Sequence, residues 1–157
     1  MKQIIAFDPG KTTGVVVLTV NAFDPIKKPQ WHFLLTAVGQ FNIDECTAAV
    51  GRYLDLLQPD IEVRVVAEDF RLYPHMAQGQ AWSNMPSSQV IGAIRTLCDL
   101  RNLPLTLLPA SSRKNVTILQ HHAPHLRAMP HAREAYRHAR YFLYTRCHDW
   151  KGAFEDA

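Results

Sequence analysis

A chain of 157 residues with 47% hydrophobic and 20% charged content can bury a full core and has the make-up of a globular protein. No run approaches the ~20 apolar residues of a membrane span, and Asp8 breaks the N-terminal apolar stretch before it could serve as a signal peptide. The net charge of +3 excludes little by itself, and three scattered cysteines (Cys46, Cys98, Cys147) without a C-x-x-C pair read as reduced thiols rather than a zinc site.

Residues 3–8 and 13–20 read as apolar strands joined by the tight turn Pro9-Gly10, where Pro9 fixes φ and Gly10 permits positive φ. Aspartate is a poor strand former, so Asp8 at the end of a buried strand points to a task. With Thr12 and Thr13 close by, that task is holding a divalent metal or cradling a nucleotide phosphate. Asn21 to Pro29 reads as a loop and Trp31–Val38 as a third strand, completing an antiparallel meander. Asn42-x-x-Glu45 resembles a capping box, and Ala49, Tyr53, Leu54 and Leu57 recur at helical spacing up to Pro59. Val63–Glu68 is a fourth strand, again apolar and again ending in an acid.

Phe70 to Pro86 lacks periodicity and carries Phe70, Tyr73, His75, Met76 and Trp82. Ser87 or Ser88 can cap a helix running to about Asn102, followed by a fifth strand at Leu103–Leu108, a polar loop, and a short helix near Val116–His121. The last strong helix runs from about Pro130, at an N1-like position, to Arg146. The order implies one α/β domain over residues 1–157, with a core of about 3–146 and a short C-terminal tail. Its sheet is mixed and five-stranded, an antiparallel meander plus parallel crossovers, with helices on both faces.

Charge is unevenly spread. Between Ser111 and His148 stand Arg113, Lys114, Arg127, Arg133, Arg137, Arg140 and Arg146, against Glu134 alone. A basic region with one embedded carboxylate suits a polyanion such as DNA. If the fourth strand pairs with the first, Asp8 and Glu68 end side by side, about 5 Å apart in the pairing direction. Two carboxylates that close repel unless a cation or a proton lies between them, and hard oxygen ligands favour Mg²⁺ or Mn²⁺. Strand alternation puts Glu68 on the face of Val66, towards Asp8, and turns Asp69 away. On the last helix His131, Glu134 and His138 follow one stripe, beside the small-to-apolar stripe Ala132, Ala135, Ala139 and Phe142. His138 reads most simply as the partner of Glu134 one turn away.

Asp-Pro-Gly-x-Thr-Thr-Gly after the first strand, Glu68 ending the fourth, and His131-x-x-Glu134-Ala135 on the last helix together resemble the RuvC-type Holliday-junction resolvases. The likeness is greatest to the short resolvases of bacteriophages, within the RNase H-like (retroviral integrase) superfamily. The resemblance implies a metal-dependent endonuclease that resolves four-way junctions, in the cytoplasm of a bacterium or phage-infected cell, away from any membrane. It implies Asp8, Glu68, His131 and Glu134 as catalytic and metal-site residues for two Mg²⁺ or Mn²⁺ ions, and a homodimer as the form that cuts symmetrically. Glu134 stands where such resolvases usually carry Asp. Branched DNA would be met by Lys11, Thr12, Phe70, Arg71, Tyr73, Arg113, Lys114, Arg133 and Arg137. A flap or other branched-DNA endonuclease and a non-catalytic DNA-binding module remain as alternatives.

Overall fold

The computed structural model describes residues 1–26, 30–70 and 85–151. Within them lie strands β1 (Lys2–Asp8), β2 (Thr12–Asp24), β3 (Gln30–Asn42), β4 (Glu62–Glu68) and β5 (Leu105–Leu108). The α-helices are α1 (Cys46–Asp55), α2 (Pro86–Leu100), α3 (Ala123–Leu126) and α4 (Pro130–Arg146), with 3-10 turns at Ile43–Glu45 and Ala110–Arg113. The strands form one sheet in the order β3-β2-β1-β4-β5. β1 pairs antiparallel with β2 and parallel with β4, and β4 pairs parallel with β5. The mixed sheet expected from the sequence is therefore the sheet observed. Among the described residues no helix is long and apolar enough to cross a membrane.

Because β1 is paired on both sides, its residues from Gln3 to Asp8 are all buried, and alternation divides them between two cores. Ile4 and Ala6, with Val16, Leu18 and Val66, pack under Ala135, Tyr136, Ala139 and Phe142 of α4. Ile5 and Phe7, with Val15, Val17 and Val65, pack under Ala49, Val50 and Leu54 of α1 and Val90, Ile94 and Cys98 of α2. Asp8 shares its face with Ala6 and so looks towards α4.

Several local details depart from the sequence reading. Gly10 does not use positive φ, since no described glycine does; the turn is closed by Thr13, whose hydroxyl donates to Gly10 O (3.2 Å) and accepts from Gly10 N (3.3 Å). The capping box at Asn42 is absent, because β3 extends through Asn42 in register with Thr12, and Asn42 makes no side-chain cap. Neither Ser87 nor Ser88 caps α2. The helix starts at Pro86 behind a left-handed Met85 (φ 38°), and Ser87 Oγ donates instead to Pro9 O at 3.0 Å. α2 ends in a Schellman arrangement, with Asn102 at φ 53° and Leu103 N donating to Cys98 O. The helical turn expected at Val116–His121 lies instead at Ala123–Leu126, with Pro124 in its first turn. α4 matches expectation at both ends. The three cysteines are free, and burial pushes the Cys98 and Cys147 thiols up to about 11 and about 12, which makes them poor ligands and nucleophiles.

Candidate metal centre and nucleic-acid cleft

The site is assembled along one row of the sheet. Asp8 on β1 is in register with Gly14 on β2, which is in register with Gln40 on β3. On the other side Phe7 is in register with Ala67, so Asp8 and Glu68 follow as the last residues of adjacent parallel strands.

This row also seats α4. A Cβ on Gly14 would lie 2.0 Å from the backbone carbon of His131, so only glycine lets the helix start come down onto β2. Gln40 Oε1 accepts from the backbone N–H of His131 (2.8 Å) and of Ala132 (3.4 Å), supplying from a strand the cap the helix sequence lacks. With its first turn fixed, α4 presents His131 to Asp8 and, two turns on, His138 to Glu68.

Asp8, Glu68 and His138 each offer one ligand atom, and these atoms all lie within 4.8 Å of one another. His131 Nδ1 lies 3.0 Å from Asp8 Oδ2, and His138 Nε2 lies 2.7 Å from Glu68 Oε2. Each ring nitrogen carries the bridging proton while its carboxylate is ionised, and a cation held at His138 Nε2 would displace that proton. His138 is fully buried, and among the described residues its other nitrogen has no partner, so within them Glu68 is what orients the ring. Burial raises the Asp8 pKa above the ordinary carboxylate value; the His131 hydrogen bond opposes this, and the Glu68 charge adds to it. Burial also pushes Glu68 up, but the hydrogen bond and charge of His138, with Arg113 behind, hold it below its ordinary value. The donor set suits a divalent cation: two adjacent, partly desolvated carboxylates and a nitrogen pointing at one spot.

The expected ligands separate in space. Asp8 and Glu68 come together as the strand pairing implied. His131 bonds Asp8 from outside the trio, with its side chain 45% exposed to the cleft. Glu134 is held by Arg137 (2.6 Å) and by Arg113 (3.3 Å), and Arg113 also reaches Glu68 at 3.6 Å. His138 therefore does not pair with Glu134, as its place one turn away suggested. It lies with Ala135, Ala139 and Phe142 on the buried stripe, and that burial carries it inward to β4. The signal was available: a histidine three residues after one packing alanine and four before a packing phenylalanine belongs to the inward face.

Asp8 opens from the trio into a cleft of about 1040 Å³ whose walls also include His131 and Glu134 together with Arg113, Lys114, Arg133 and Arg137. All four of the basic residues assigned to DNA from this region thus share one opening with the acids. Lys11 is exposed and Thr12 half-buried on the turn side, and Lys11 O receives the Ile43 amide at 3.0 Å. Phe70 is half-buried just beyond β4. Arg71 and Tyr73 lie outside the described residues, as do His75, Met76 and Trp82.

No protein-family model and no curated protein sequence matches the chain. Solved structures do. Thermus thermophilus RuvC in complex with Holliday junction substrate superposes with a TM-score of 0.64 at 16% identity, covering 94% of this chain and 96% of that one. Thermus thermophilus RuvC is also matched in a second structure, with a TM-score of 0.60 at 15% identity, over 90% and 95% of the two chains. The fowlpox virus resolvase with substrate Holliday junction DNA gives 0.58 at 13% identity, over 91% and 97%. The chain thus has the RNase H-like α/β fold of the RuvC-type resolvases.

Proposed function

We propose that this chain is a divalent-metal-dependent, structure-selective DNA endonuclease whose substrate is the four-way junction. The observation that carries the reading is the convergence of ligand atoms of Asp8, Glu68 and His138 within 4.8 Å, with Asp8 opening into a basic cleft. Support comes from the fold, which is shared with two resolvases whose structures contain Holliday junction DNA.

Asp8 and Glu68, with His138 as the nitrogen donor, would hold Mg²⁺ or Mn²⁺, one ion or two. Such ions supply positive charge to the attacking and leaving oxygens of an in-line phosphodiester displacement. Asp8 is kept in place by His131, which faces the cleft and is free to orient a water. Glu68 is kept in place by His138. Glu134, poised between Arg113 and Arg137, is the third carboxylate of the proposed set. In this reading Arg113, Lys114, Arg133 and Arg137 take the phosphates flanking the cut, and Lys11, Thr12, Phe70, Arg71 and Tyr73 are the further residues proposed to meet the DNA.

Cutting a junction symmetrically takes two such sites related by a two-fold axis, which an isologous homodimer provides. Leu100 at the end of α2, 74% exposed, belongs to the surface such a dimer would cover. Light scattering should then give twice the 17.8 kDa chain mass.

A second reading, a DNA-binding module without catalysis, draws on the ion pairs that already occupy Glu134. Incubation with four-way, flap and linear DNA in Mg²⁺ or Mn²⁺ decides. Paired nicks in the four-way junction, abolished by chelator, support the resolvase; cleavage of flaps alone makes it another branched-DNA nuclease. Tight binding without cleavage in either metal supports the module.

A further inference from the structure

The cleft does not end at the carboxylates. The segment Asn115–Thr117, which forms one of its walls, also walls a second pocket of about 260 Å³ whose other side is Arg140, Tyr141, Tyr144 and Thr145 of α4. One stripe of α4 runs through both: Arg133 and Arg137 in the cleft, then Tyr141 and Tyr144 in the pocket, at helical spacing.

The pocket is fixed by its own contacts. Arg140 donates to the carbonyl of Thr117 and to its hydroxyl (3.2 Å), pinning the wall to the helix. Asn115 takes a left-handed conformation (φ 65°) where this wall turns. The same guanidinium lies 5.4 Å from the centroid of the Tyr144 ring. Tyr144 is nonetheless 37% exposed, a large aromatic left open beside a cation. A ring held by an arginine, next to a groove that suits phosphates, is the arrangement that single-stranded nucleic acid uses for base stacking.

We propose that this pocket is a nucleobase site, which receives an unpaired base of the strand whose phosphate is held at Asp8 and Glu68. The proposal rests on the nuclease reading and adds to it the part of the substrate that tells a branch from a duplex. Six residues of α4 separate His138 from Tyr144, about 9 Å along the axis at 1.5 Å per residue. With about 3.4 Å per stacked nucleotide, the captured base lies one to three nucleotides from the cut. A base inside intact duplex cannot reach a side pocket, whereas one at a junction can. The small volume suits one planar ring, with Thr145 and Asn115 at its margin.

The test compares Tyr144→Ala and Tyr144→Phe with the parent on a four-way junction, on single-stranded DNA and on linear duplex. 2-Aminopurine is placed in turn at successive positions beside the cut. The parent should quench the probe at one position within three nucleotides of the cut. Tyr144→Ala should lose that quench and bind junction and single strand about 5- to 150-fold more weakly, the range of one lost stacking contact, while duplex binding holds; Tyr144→Phe should match the parent. Unchanged junction affinity in Tyr144→Ala, an equal loss on duplex, or a change in molecular mass rather than in DNA affinity would overturn the pocket and leave the nuclease standing. A parent that binds none of the three DNAs would remove both.

Discussion

Strands β1 and β4 run side by side in parallel, and charged residues stand at both ends of the pair: Lys2 against Glu62 at one, Asp8 beside Glu68 at the other. At the first end every charge finds an opposite. Lys2 pairs with Glu62, and Arg64 pairs with Glu62 (2.9 Å) and with Asp149. Trp150, fully buried, donates to Glu62 at 2.7 Å under the cations of Lys2 and Arg64. Burial alone would raise the Glu62 pKa, but the hydrogen bonds from Lys2, Trp150 and Arg64 bring it below its ordinary value. At the second end two acids meet, and Asp8 is pushed the other way. The same two strands thus close one end of the sheet with matched charge and leave at the other a buried carboxylate, Asp8, whose charge its surroundings disfavour. The first arrangement holds the C-terminal segment down; the second gives a ligand something to do.

The largest effect expected from disturbing this contrast is at Asp8. Asp8→Asn should cut metal-dependent DNA cleavage by more than about 100-fold, beyond the 10–100-fold typical of losing an outer partner of a metal ligand. The fold should survive. Because the Asp8 pKa is raised in the fold, its ionisation costs stability above the unfolded pKa, so the variant in chelator should melt no lower than the parent. A variant that cleaves normally, or that unfolds, would place Asp8 in the scaffold instead.

At the matched end, Trp150→Ala should reverse the pattern. Removing a fully buried tryptophan costs about 3–5 kcal/mol, read by urea unfolding, while cleavage per folded molecule stays near the parent's. A selective loss of cleavage there would erase the distinction between the ends.

Gly14→Ala sharpens the contrast from within the site. The new methyl meets backbone, which cannot step aside, so α4 must shift at a cost of about 1–3 kcal/mol. The shift would draw His131 away from Asp8, and cleavage should fall with stability. If stability falls alone, the seating of α4 does not set the geometry of the site.

A smaller, purely structural titration should come from His122, buried against Tyr136 with Nδ1 2.8 Å from its hydroxyl. Burial, then His121, His125 and Arg140, lower its pKa from 6.5 to about 4. The unfolded chain therefore binds this proton first, and the contribution of neutral His122 is lost as pH falls from about 6.5 to about 4. His122→Phe should flatten the decline in unfolding free energy across that window; an unchanged slope would assign the decline to the carboxylates.

Much of this was legible in the residues. The alternation of side chains along the strands placed Glu68 on the face towards Asp8, and the run from about Pro130 to Arg146 marked α4. What the sequence hid came from partners distant along the chain. Asn42 looked like a cap, yet strand pairing with Thr12 claimed its backbone. α4 carries no capping side chain of its own, and Gln40, some 90 residues earlier, supplies it. Spacing tied His138 to Glu134, the neighbour on its own helix; the tie to Glu68 depends on β4 lying beneath α4, which no local pattern records. Glu134 in turn meets Arg113 from the turn after β5, a contact across 21 residues.

The central claim is that Asp8, Glu68 and His138 hold a divalent cation, and thermal unfolding with added Mn²⁺ tests it without requiring any DNA. Ligand that binds only the folded state stabilises it by RT ln(1 + [L]/Kd). The melting temperature of the parent should climb steadily with Mn²⁺, and Asp8→Asn should show no climb over the same range. An equal rise in both proteins, or none in the parent, would contradict the account.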